Sequence, residues 1–138
     1  MILTKEIKFS TKGHTDIISI TLQVKEFIEQ SHIRSGIITL FVPGTTAVIT
    51  TMEYEPGLIE DIKKHWENMV SSKESYEHNE RWKDGNGYAH VRSALCGPSL
   101  VIPFDEGKLI LGTWQDVVFI DFDNRPRSRT VIAQIQGE

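Results

Sequence analysis

The chain has 138 residues, five histidines, one cysteine and a net charge of −4. Hydrophobic residues at 39% and charged residues at 25% describe a globular chain with a sizeable core and exclude a mainly disordered, collagen-like or coiled-coil protein. Residues 51–80 hold eight acidic and three basic side chains, and no basic stripe of the kind that neutralises phosphates precedes Arg125, Arg127 and Arg129.

Residues 5–10 alternate as a strand, with Lys5, Ile7 and Phe9 on one face. Gly13-His14 reads as a turn and Asp16 to Ile20 as a short apolar run. Thr21 is suited to cap a helix carrying Val24, Phe27 and Ile28 on its inner face. Ile37 to Val42 is apolar and rich in β-branched residues, a buried strand ended by Pro43-Gly44. Thr45 to Thr51 reads as its partner, or as the same strand bent. Glu55-Pro56-Gly57 signals a turn. Leu58 to Ser71 is the clearest helix, with a stripe of Leu58, Ile62, Trp66, Met69 and Val70. Residues 72–87 are polar and aperiodic, a long loop of the kind that often carries function. Tyr88 to Leu95 fits a short helix ended by Gly97-Pro98. Strands follow at Ser99–Pro103, Lys108–Thr113, Val117–Phe122 and Thr130–Gln136, the first two joined by an Asp105-Glu106-Gly107 hairpin turn. The pattern predicts one α+β domain over 1–138, with two to three helices on a mostly antiparallel sheet or partly open barrel.

No apolar run approaches the ~18 residues that span a bilayer. Met1 to Glu6 lacks a basic segment followed by an apolar one. A single cysteine, Cys96, excludes an intrachain disulfide and reads as a small buried residue. The expectation is a cytoplasmic protein with no membrane or nucleic-acid partner.

There is no phosphate-binding P-loop, dinucleotide fingerprint, HExxH or GxSxG motif. The remaining polar residues are dispersed. His78 and His90 flank a Gly/Asn-rich turn, and an imidazole serves as acid, base or metal ligand near neutral pH. Two histidines do not complete a zinc site; Glu53, Asp61 or a neighbouring subunit would have to add donors. In Pro43-Gly44-Thr45-Thr46-Ala47, backbone N–H groups and two hydroxyls are suited to a phosphate, or to a plain strand kink. Leu111-Gly112-Thr113-Trp114-Gln115 puts an indole and an amide at a turn between strands, although a tryptophan more often packs a core. Arg125, Arg127 and Arg129 alternate and would share one face, solvated, at a subunit contact or facing an anion.

The series Thr45-Thr46-Ala47, Glu53, Asp61, Tyr76-x-His78-Asn79, Asn86-x-x-Ala89-His90-Val91-x-Ser93-x-Leu95-x-Gly97-Pro98-Ser99-Leu100-x-Ile102-Pro103, Gly107-x-Leu109-x-Leu111-Gly112-Thr113-Trp114-Gln115, Asp121-Phe122-Asp123 and Pro126-Arg127-x-Arg129 resembles the YjbQ family, often labelled secondary thiamine-phosphate synthase. The stretch from His90 to Gln115 is its most specific part. The resemblance implies an α+β homotrimer with a polar pocket at or near a subunit interface. It also implies an activity that joins a pyrimidine diphosphate to a thiazole phosphate with loss of pyrophosphate, while leaving the natural substrate open. Carried over residue by residue, the pocket would comprise Thr45, Thr46, Glu53, Asp61, His78, Asn86, His90, Arg92 and Gln115. His90, His78 and Glu53 would act in catalysis. Thr45, Thr46, Asn86, Arg92 and Gln115 would hold the phosphorylated ligand, and His78, His90 and Asp61 a divalent metal such as zinc or magnesium. The alternatives are a metal-dependent hydrolase using His78 and His90, and a trimer that binds a metabolite without turnover. Many members carry a histidine just before Thr-Thr-Ala, where this chain has Gly44.

Overall fold

The computed structural model describes residues 1–138. Eight strands and four helices follow in the order β1 (Ile2–Thr11), β2 (Asp16–Ser19), α1 (Thr21–Ser31), β3 (Gly36–Phe41), β4 (Ala47–Met52), α2 (Pro56–Met69), α3 (Glu77–Trp82), α4 (Gly87–Cys96), β5 (Ser99–Asp105), β6 (Lys108–Leu109), β7 (Asp116–Asp121) and β8 (Arg127–Gly137). All pairing is antiparallel. One sheet has the order β1-β8-β3-β5-β6, the other β2-β7-β4. The fold is α+β with a half-barrel sheet, as the sequence predicts, but the helices number four rather than two to three.

The side-chain pattern of each central strand reports what covers it. β8 alternates: Val131, Ala133 and Ile135 are buried, while Ile132, Gln134 and Gln136 face outward. Its sheet is therefore covered on one face. β7 reads Val117-Val118-Phe119-Ile120 without a break, and all four are buried. Val117 and Phe119 join the main core with Ile20, Val24, Ile28, Ile38, Leu40 and Ile135. Val118 and Ile120 join a second cluster with Ile17, Val48, Tyr88, Ala89 and Phe122, against which Ile59, Ile62, Trp66 and Val70 of the α2 segment pack. The three-stranded sheet is thus a middle layer, and α2 and α4 lie on its far side.

Several local expectations are corrected. β3 and β4 are not partners: β3 lies between β8 and β5, and β4 pairs with β7. Local sequence does not encode this, because either pairing buries the same residues. Glu55-Pro56-Gly57 starts α2 instead of turning the chain. The Glu55 carboxylate accepts hydrogen bonds from the Gly57 and Leu58 N–H groups, with Pro56 in the first turn, so the cap satisfies two donors that a helix start leaves open. Met69 is exposed, and the packed stripe of α2 runs through Ile59 instead. Thr21 lies inside α1, not before it. Its hydroxyl donates to Asp116 and accepts from the Val117 N–H, which ties α1 to β7. The strand expected at 108–113 ends at Leu109. Cys96 and Trp114 are exposed, not in a core. No helix is long and apolar enough to cross a membrane.

Candidate functional site

The segment expected as a loop at 72–87 contains α3, and this short helix carries His78. Three contacts seat it. The Tyr76 hydroxyl donates to the Ser71 carbonyl, the Asn79 side-chain oxygen accepts from the Gly87 N–H, and Gly87 brings the start of α4 against Tyr76. A Cβ on Gly87 would lie 2.7 Å from the Tyr76 Cβ and 2.9 Å from the Asn79 side-chain oxygen. Only glycine allows this approach. It brings the rings of His78 and His90 together, with centroids 4.2 Å apart and planes inclined by 37°. Asp84, just beyond α3, places a carboxylate oxygen 3.5 Å from Nδ1 of His78. That separation is an ion-pair distance but a long one for a hydrogen bond.

Burial pushes the His90 pKa below the ordinary histidine value, and the neighbouring His78 pushes it further. Asp84 and Asp123 oppose the shift without reversing it. His90 is therefore a neutral imidazole at pH 7, able to accept a proton.

Beneath the histidines lies a buried ionic network. Asp121 and Asp123 are both fully buried. Asp121 accepts two bonds from Arg129 (2.7 and 2.8 Å) and one from the Thr11 hydroxyl. Asp123 accepts from Thr46, Asn86, Arg127 and the Asn124 N–H. Burial alone would raise the Asp123 pKa; those four donors outweigh it and hold the carboxyl below its usual range. Arg127 and Arg129 are spent on this network, while Arg125 is exposed. Of the three alternating arginines, two thus neutralise buried carboxylates. One guanidinium nitrogen of Arg129, Nη1, lies against Gly44, 3.4 Å from where a Cβ would sit.

A cleft of about 340 Å³ opens between the β3–β4 loop and α4, lined by Gly44, Thr45, Ala47, His90, Ser93, Ala94 and Pro98. In this chain only three buried side-chain polar atoms lack a hydrogen-bond partner: Nδ1 of His78, Oδ1 of Asn86 and Oγ of Ser93. Folded proteins pair nearly all such atoms. Here the exceptions converge on His90: His78 stacks on it, Asn86 precedes its helix, and Ser93 follows one turn later.

The residues expected in the site divide accordingly. Thr45 and His90 line the cleft. Thr46, Asn86 and His78 stand behind it, with Thr46 and Asn86 anchoring Asp123. Arg92 lies elsewhere. Its side chain is 2% exposed and points to α2, where it donates to the Val70 carbonyl, Glu67 and Thr15 and packs over the Tyr88 and Phe122 rings. Gln115 closes its own turn, accepting from the Gly112 N–H and donating to Thr51. Glu53 and Asp61 are exposed. No three His, Cys, Asp or Glu side chains of the chain come together as metal donors, so Asp61 does not join the histidine pair within one subunit. Ser93, Asp84, Asp123 and Arg129 are the additions. Ser93, Asp123 and Arg129 stand in the family-like series without a role assigned to them there, and Arg129 also in the alternating arginines; Asp84 has no such signal.

A family profile described as UPF0047 protein YjbQ-like matches residues 5–138. A UPF0047 protein of Archaeoglobus fulgidus is 39% identical over 129 residues, covering 94% of this chain and 98% of its own. The UPF0047 protein YugU of Bacillus subtilis is 34% identical, covering 98% and 100%. A crystal structure from Sulfolobus solfataricus, described as a YbjQ-like protein of unknown function, superposes with a TM-score of 0.94. It is 34% identical and covers 100% of this chain and 99% of its own.

Proposed function

Because the chain belongs to the YjbQ-like UPF0047 family, and its unpaired buried polar atoms gather around one cleft-facing histidine, we propose that the His90 cleft binds a phosphorylated small metabolite and that His90 moves a proton on it. The convergence of His78 Nδ1, Asn86 Oδ1 and Ser93 Oγ carries this reading. Of the three, Ser93 lines the cleft itself; leaving its hydroxyl unpaired costs on the order of 1–3 kcal/mol, a cost that a bound polar ligand would offset. His90, neutral at physiological pH, is poised as a base. His78 stacks on it, and Asp84 stands where it would favour an imidazolium. The Gly44 N–H is already paired with the Val42 carbonyl, so the phosphate would be met by Thr45 and by Arg129 Nη1, which lies against Gly44. Coupling of a pyrimidine diphosphate to a thiazole phosphate is the first reaction to test.

The assembly proposed with it is a homotrimer. Val91 and Leu95, one turn apart on α4, and Val101, Ile110 and Trp114 are large apolar side chains left exposed, which a subunit contact would cover. Sedimentation at a mass near one subunit, 15.7 kDa, would remove this part of the proposal.

The test of function measures thermal stabilisation and turnover with the thiazole phosphate, the pyrimidine diphosphate and their unphosphorylated forms, on wild type and His90→Ala. The reading expects stabilisation by the phosphorylated compounds and turnover lost in His90→Ala. Full turnover in that variant would end the acid–base role. Stabilisation without turnover would leave a metabolite-binding protein.

A further inference from the structure

Ser93 sits on α4 one turn after His90, so both side chains rise from the same helix face. Both line the cleft, with Ala47, Ala94 and Pro98 beside them. A serine within a helix ordinarily spends its hydroxyl on a carbonyl of the preceding turn. Ser93 does not. It is 7% exposed, and its Oγ makes no hydrogen bond within the protein. The preceding residue in the helix, Arg92, points away toward α2 with all its hydrogen bonds made inside the protein. The cleft wall therefore combines compact apolar groups from Gly44, Ala47, Ala94 and Pro98 with two polar points, His90 and Ser93, and Thr45 at the mouth.

We propose that Ser93 is a specificity-determining residue of this cleft, its hydroxyl pairing with a hydrogen-bonding edge of a flat ring that packs against Ala47, Ala94 and Pro98. The inference rests on the His90 cleft being the ligand site and adds which part of the ligand is read there. Small wall residues leave room for a ring laid flat but offer no bulky side chain to grip a long chain. A ring of the right shape with no polar edge leaves the Ser93 hydroxyl unpaired. A site built around a hydrogen bond discriminates most strongly against such a ligand.

The test compares two matched probes, pyrimidine and benzene, titrated into the whole protein while the backbone amide resonances of residues 44–47 and 90–94 are followed. Wild type should bind pyrimidine about three- to tenfold more tightly than benzene, the ratio one net hydrogen bond provides. Ser93→Ala, a substitution favourable in a helix, should bring the two affinities within about twofold by weakening pyrimidine alone. Ser93→Thr, which keeps the hydroxyl, should retain a preference for pyrimidine. An unchanged ratio in Ser93→Ala would overturn the role of Ser93 while leaving the cleft in place. The absence of shifts at 44–47 and 90–94 with either probe in wild type would overturn the ring-reading role, while the cleft reading is decided separately by the phosphorylated compounds. An unchanged amide spectrum of Ser93→Ala outside α4 establishes that the fold is intact.

Discussion

Arg92 offers the sharpest separation of a binding role from a structural one. Its guanidinium makes four hydrogen bonds: two to the Val70 carbonyl at 3.1 and 2.8 Å, one to Glu67 at 3.0 Å and one to the Thr15 hydroxyl at 3.2 Å. It joins α4 to the end of α2 and to the β1–β2 turn. Replacing it by methionine keeps much of the stem and removes the charge and every donor. Breaking a buried ion pair typically costs about 3–5 kcal/mol when the orphaned partner stays buried. Glu67 does not stay buried: its side chain is 42% exposed, and Ser71 and Ser72 still donate to it. Water meets the carboxylate, so the loss falls mainly on the Val70 carbonyl and Thr15. The expected cost is then about 2–4 kcal/mol. A chain of this length has an unfolding entropy of about 0.29 kcal/mol/K at its midpoint. Arg92→Met should therefore lower Tm by roughly 7–14 °C, measured by calorimetry at one protein concentration. Affinity for a cleft ligand, measured well below the lowered Tm, should stay within about twofold. An unchanged Tm with lost binding would refute the structural assignment and return Arg92 to the ligand.

Gly87→Ala should cost about 1–3 kcal/mol through the clash with Tyr76 and Asn79, and chemical denaturation should show it together with loss of the contact between the His78 and His90 rings in NMR spectra. Asp61→Asn and Glu53→Gln should each leave stability within about 0.5 kcal/mol of wild type, because both side chains are exposed; a larger change in denaturation would contradict that placement. At His90 the unfolded chain takes up a proton near pH 6.5 that the folded chain resists, so its contribution to stability is complete above pH 6.5 and is lost as pH falls from there through the lower folded value. Stability should drop between neutrality and pH 5 in wild type and drop less in His90→Gln; equal slopes would refute the shift.

Much of the architecture was legible because burial writes itself into local pattern. The unbroken apolar run of β7 and the alternation of β8 state which strand is covered on two faces and which on one. α1 follows the spacing of Val24, Phe27 and Ile28. α3 was illegible because Glu-His-Asn-Glu-Arg-Trp buries no stripe; its seat is made by Tyr76, Asn79 and the missing Cβ of Gly87, which are tertiary facts. The separation of β3 from β4 into different sheets is likewise decided by partners far along the chain. At the site, the histidines stood out by chemistry alone. Arg92 did not reveal its direction, since one position around a helix turns a side chain by about 100° and takes it from the cleft wall to α2. Ser93 has no distinctive chemistry in sequence; its interest lies in a bond it does not make.

The pairing of β1 with β8 has a consequence for how this protein comes to be. Ile2 faces Gln136 and Thr11 faces Arg127, so β1 leaves the ribosome long before the strand it pairs with. β3 also waits, since β8 fills the place between it and β1. β3 can pair with β5 earlier, but the larger sheet cannot close until β8 has emerged to join β1 to β3. This sheet therefore closes late, and folding is slow for a chain of this size, as long-range pairing dictates. In that interval the chain is a natural client for chaperones.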